Sequence, residues 1–192
     1  MPGHVRRRKR PRLFSFSREV ELAHFDEVVR NPEDRALLEA MIDGFIEIAR
    51  THEAPAEALE PFVHGARHPL AQLRGLAFTR LSVLTHYFAG AGEALGTLGA
   101  DDDAEVRLYA SSVLANTPAE IGLPLLDRLL ADDEWRVRKA AAQTAGAVVW
   151  PGLLDVLESH LGAEGDARVG VVLSLAVAFQ RERAGASAAT PS

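Results

Sequence analysis

No cysteine occurs among these 192 residues, so disulfides and thiolate metal sites are excluded. That absence suits a reducing compartment, and a cytoplasmic location is expected. Aromatic residues are scarce at 6%, which argues against an aromatic-rich β-sandwich core. No apolar run approaches the ~20 residues that a membrane-spanning helix requires. The short stretch Leu13-Phe14-Ser15-Phe16 is too brief for the apolar region of a secretion signal, and Arg18-Glu19 ends it. The reading is a soluble, unexported chain.

Ala and Leu, by contrast, are abundant, and both lose little conformational freedom in a helix. Charge is distributed unevenly. Residues 1–18 carry Arg6, Arg7, Arg8, Lys9, Arg10, Arg12 and Arg18 with no acid, which leaves 14 basic residues against all 27 acidic ones in the rest. A basic arm on an acidic body results.

Residues 1–16 have no helical periodicity and are expected to be disordered without a partner. A first helix is expected over about Ser17 to Arg30, with Leu22, Phe25, Val28 and Val29 on one face. Asn31-Pro32-Glu33-Asp34 reads as a helix start, with a cap, a proline at the first position and acids in the first turn. Leu37, Leu38, Met41, Ile42, Phe45, Ile46 and Ile48 then form a wide apolar stripe.

From His68 onward the chain repeats itself. His68-Pro69-Leu70-Ala71-Gln72-Leu73-Arg74, Asp101-Asp102-Asp103-Ala104-Glu105-Val106-Arg107 and Asp132-Asp133-Glu134-Trp135-Arg136-Val137-Arg138 align, and Gly165 to Leu173 is a weaker copy. Leu73, Val106, Val137 and Val169 anchor the copies at a period of ~32 residues. Second helices lie between them, opened by Ala54-Pro55-Ala56-Glu57, Thr117-Pro118-Ala119-Glu120 (a capping box) and Trp150-Pro151-Gly152. A hairpin of this kind cannot bury its apolar face alone, whereas stacked hairpins share one core.

The segment from about His68 to Gln180 resembles HEAT repeats, in particular the short bacterial lyase-type form with Asp-Asp-x-x-x-Val-Arg-x-x-Ala in its first helix. The resemblance implies an all-α, right-handed α-α superhelix of about four to five hairpins. Expected divisions are a disordered basic arm over 1–16, the solenoid over 17–183 and a disordered tail over 184–192. The resemblance also implies a ladder between repeats, built from a turn aspartate and an arginine six residues later. Asp101 with Arg107 and Asp132 with Arg138 match; His68 before Arg74, and Ala163 and Asp166 before Gly170, depart from the pattern.

Candidate chemistry is sparse. His64 and His68 stand one helical turn apart, a spacing that can ligate a metal, but Gly65 and Pro69 place them across a turn. Gly90, Gly92 and Gly96 lack the preceding strand and the lysine of a phosphate loop. Asp101-Asp102-Asp103-Glu105 and Asp132-Asp133-Glu134 fall where helix caps belong. Some HEAT-like proteins are DNA glycosylases, and Trp135, Trp150, Asp155 and Arg128 are raw material for one; the acidic body opposes phosphate binding. Others assist chromophore attachment, for which no tetrapyrrole-binding feature is present. No cofactor or metal is expected, and no enzyme activity.

The leading expectation is therefore a non-catalytic scaffold or adaptor. By resemblance its second helices line the concave face and grip a protein of basic or mixed charge, through polar positions such as Asp127, Arg128, Asp155 and Glu158. The alternative is a nucleic-acid-associated protein that binds DNA or RNA through Arg6, Arg7, Arg8, Lys9, Arg10 and Arg12.

Overall fold

A computed structural model describes residues 17–188, and all its regular elements are helical. Helix α1 (Arg18–Phe25) leads into α2 (Pro32–Thr51), followed by α3 (Ala56–Ala66) and α4 (Ala71–Leu84). The remainder is α5 (Ala89–Leu98), α6 (Ala104–Val113), α7 (Ala119–Leu130), α8 (Trp135–Ala147), α9 (Leu153–Ala163) and α10 (Ala167–Ala188). The arm over 1–16 and residues 189–192 of the tail lie outside the described residues.

The helix boundaries follow local chemistry. Asn31 caps α2 by accepting the Glu33 N–H at 2.9 Å, with Pro32 as the first helical residue. Asp103 and Glu134 cap α6 and α8 in the same way. Three boundaries differ from expectation. Helix α1 ends at Phe25, not near Arg30, because the extended Asn31-Pro32 cap needs a chain reversal before it. Val28 is consequently 42% exposed while Val29 enters the core. Thr117 does not form a capping box: its hydroxyl donates back to the Leu114 carbonyl, and Pro118 flanks α7. Helix α10 continues five residues beyond the expected boundary at Arg183.

Consecutive hairpins α2–α3, α4–α5, α6–α7 and α8–α9 stack side by side, with α10 closing the series. One layer holds α2, α4, α6, α8 and α10, and the other holds α3, α5, α7 and α9. Each element packs on its neighbours in the series, as a solenoid requires. Leu73, Val106, Val137 and Val169 are all at most 1% exposed, and so are Ala77, Ala110, Ala141 and Leu173 four positions later. These eight side chains form the seam of the first layer. The second layer contributes Phe62, Leu95, Leu126 and Leu157, each fully buried. Full burial of such a side chain contributes about 2–3 kcal/mol. Among the described residues, no helix is long and apolar enough to cross a membrane.

Candidate partner-binding groove

The turn leading into each first-layer helix carries a polar side chain that accepts an N–H two residues ahead. His68 accepts from Leu70, Asp101 from Asp103, Asp132 from Glu134 and Glu164 from Asp166. An arginine six residues later donates back to the turn: Arg74 to the His68 carbonyl, Arg107 to that of Asp101 and Arg138 to that of Asp132. Arg107 also reaches the following repeat, gripping Asp132 at 2.7 and 2.9 Å and Asp133 at 2.9 Å. Arg138 does likewise with Glu164 at 2.8 and 3.0 Å. Burial pushes the Asp132 carboxyl up, but Arg107 and the Glu134 N–H outweigh it and hold it below its ordinary value. For Glu164 the Arg138 hydrogen bonds dominate and hold the pKa low.

Glu164, not Ala163 or Asp166, thus fills the acidic place in the last turn, while Asp166 caps α10 by accepting the Arg168 N–H. At the other end Arg74 makes no such bridge. Its guanidinium stacks 4.6 Å above Tyr109 and its buried Nε has no partner among the described residues, while Arg67 pairs with Asp101 at 2.7 Å.

Beside this altered joint the second layer opens. Helices α3 and α5 border a groove of about 590 Å³, floored by Leu59, Val63, Ala94 and Gly90. Its rim carries Glu60, His64, Arg67 and Glu93. The opening follows from composition. Helix α5 reads Ala-Gly-Ala-Gly-Glu-Ala-Leu-Gly, and its small side chains leave the space between the two helices unfilled. Glu60 and Glu93 share one register, each two residues before a buried core side chain (Phe62 and Leu95), and Asp155 occupies the same place before Leu157. Carboxylates thus recur at this place in α3, α5 and α9, while α7 has Pro124 there.

Of the residues singled out from the sequence, Asp155 holds this place in α9 and is exposed. The other three brace the array. Asp127 meets His160 Nε2 at 2.7 Å, Arg128 donates to the Gly96 carbonyl at 3.3 Å, and Arg181 donates twice to Glu158 at 2.9 and 2.7 Å. Glu57, Glu60, Glu93, Glu120 and Asp155 are exposed, and among the described residues their carboxylates have no such partner. The groove itself escaped sequence reasoning, since an absence of bulk on one face of α5 reads only as a flexible glycine stretch. Arg6, Arg7, Arg8, Lys9, Arg10 and Arg12 lie outside the described residues.

Other chemistry is not assembled. His68 is spent on the Leu70 N–H and on Asp34 at 3.3 Å, and His64 faces the groove. Among the described residues, no group of three His, Asp or Glu is placed to hold a metal. Trp135 lies under Arg168, 3.6 Å from its guanidinium carbon, at the start of α8. Trp150 packs beyond the other end of that helix against Gly122. A 13-residue helix spans about 20 Å, so the two indoles do not flank a common base.

Comparison with known proteins agrees with the architecture. Residues 93–176, from α5 into α10, match the family model for HEAT repeats. A search of curated proteins returns no match.

Proposed function

Residues 93–176 match HEAT repeats, and from that likeness we propose that the chain is a non-catalytic adaptor whose α3–α5 groove captures a protein segment. HEAT repeats generally serve as protein-interaction scaffolds. The observation that carries the reading here is the groove itself, an apolar floor beneath a rim holding Glu60 and Glu93. An apolar floor takes an aliphatic or aromatic side chain, while unpaired rim carboxylates favour lysine and arginine on either side of it. The partner is a basic segment with an apolar anchor, and Asp155 places a further carboxylate in the same layer.

Selection of random linear peptides displayed against the full-length chain tests this directly. Enriched peptides should combine basic residues with a central aliphatic or aromatic side chain. Ala94→Trp, which plugs the groove from its floor, should abolish their binding while leaving the helical circular dichroism and melting temperature unchanged. Enrichment of acidic peptides, or binding indifferent to Ala94→Trp, would sink the proposal.

A further inference from the structure

We propose that the groove's resident occupant is the chain's own arm: residues 6–16 dock into the α3–α5 groove of the same molecule and must be displaced by a partner. The inference rests on the groove being a binding site for basic segments. Three observations point to this occupant.

The first is chemistry. The arm joins Arg6, Arg7, Arg8, Lys9, Arg10 and Arg12 to Leu13, Phe14 and Phe16. That is the combination the groove selects, with apolar side chains for Leu59, Val63 and Ala94 and guanidinium groups for Glu60, Glu93 and Glu57. The second is charge balance. Within the body, the basic side chains Arg107, Arg138, Arg168 and Arg181 are all committed to carboxylates, whereas among the described residues Glu60 and Glu93 on the groove rim are paired with no base. The basic arm supplies the complement.

The third is reach. Arg18 at the start of α1 pairs with Asp43 at 2.6 Å, and the adjacent Gly44 abuts the Ala58 carbonyl of α3. The next residue, Leu59, is on the groove floor. This chain of contacts puts the groove within about 25 Å of Arg18, and the twelve residues from Arg6 to Arg18 span roughly 40 Å when extended. The arm is thus tethered beside the groove, and a tether of this length holds it at an effective concentration that a free peptide does not reach.

The absence of cysteine gives a clean test. A nitroxide attached through Val5→Cys on the full-length chain, far along the arm from the fixed Arg18, should broaden the amide resonances of Gly90, Ala94 and Thr97, with at least half of their intensity lost. The combined change Glu60→Lys and Glu93→Lys, at exposed positions, should restore that intensity. So should a salt concentration of about 1 M, at which charges are screened beyond about 3 Å. Mixing spin-labelled chains with unlabelled, isotope-enriched ones should produce no loss.

Loss that persists in the mixed sample would overturn the proposal in favour of a second copy. An arm that leaves the groove resonances untouched but is held by a DNA duplex would overturn it in favour of nucleic acid. If the arm stays away while displayed peptides still bind and still depend on Ala94, this inference fails and the adaptor reading survives. If neither binds, both fail.

Discussion

The joints on either side of α6 are built from the same residue positions yet hold together differently. Between the repeats of α6 and α8, Arg107 is 13% exposed and grips an Asp132 side chain only 7% exposed, and it also bonds its own turn. Between the repeats of α4 and α6, Arg74 bonds only its own turn, and the bridge to Asp101 falls to Arg67, which is 43% exposed. An identical residue at an identical place is a fastener in one joint and a packed side chain over Tyr109 in the other. The difference lies in the companion: Asp132 enters a half-buried turn opposite Arg107, whereas His68 spends its ring on a backbone N–H and on Asp34. The groove opens beside the weaker joint.

The largest effect is expected from Arg107→Ala, which strands a buried carboxylate and removes its bonds to the turn. About 3 kcal/mol should be lost in denaturant unfolding. Acid should reveal the same contact. Asp132 and Glu164 titrate below their ordinary values, so their contribution is complete above about pH 5 and is lost as pH falls through the depressed values. Melting temperature should therefore fall from pH 5 toward pH 3, and the fall should be shallower in a variant carrying both Arg107→Ala and Arg138→Ala. An acid limb equally steep in that variant would show that other groups set it.

Somewhat smaller is Gly122→Ala, whose added methyl meets the Trp150 ring and the Thr117 hydroxyl. A loss of about 1–3 kcal/mol is expected on unfolding. Arg74→Met sharpens the comparison best. It removes a buried Nε that has no partner among the described residues and keeps the stem, so stability should change by less than about 1 kcal/mol, in sharp contrast with Arg107→Met. Equal losses at the two positions would contradict the distinction between the joints. Least of all, Arg18→Ala breaks the exposed pairs with Asp43 and Glu39 and should lower the melting temperature only marginally, and by less still in high salt.

The periodic part of this organisation was legible in the sequence. Leu73, Val106, Val137 and Val169 mark the repeat because a core position tolerates little besides an aliphatic, and Asn31-Pro32 announces α2 because few other pairs start a helix so well. Glu164 is a different case: it takes the expected aspartate's place, one carbon longer, six residues before Gly170, so the repeat spacing marks it as soon as an acid other than aspartate is admitted there. What escaped was relational. Asp127 and Glu158 look like free surface acids until His160 and Arg181 are seen beside them. The groove is a deficit of side-chain volume at Gly90 and Ala94, and a missing volume has no letter of its own.

The two-way grip of Arg107 and Arg138 has a mechanical consequence. A planar guanidinium bonded at once to its own turn and to the next fixes the rotation between successive units, as a dowel does between blocks. Where Arg74 lets go of the following unit, that dowel is missing. Under load, bending is expected to concentrate between α4 and α6, where among the described residues only the exposed Arg67–Asp101 ion pair bridges the units, and hydrogen exchange under strain should locate it there.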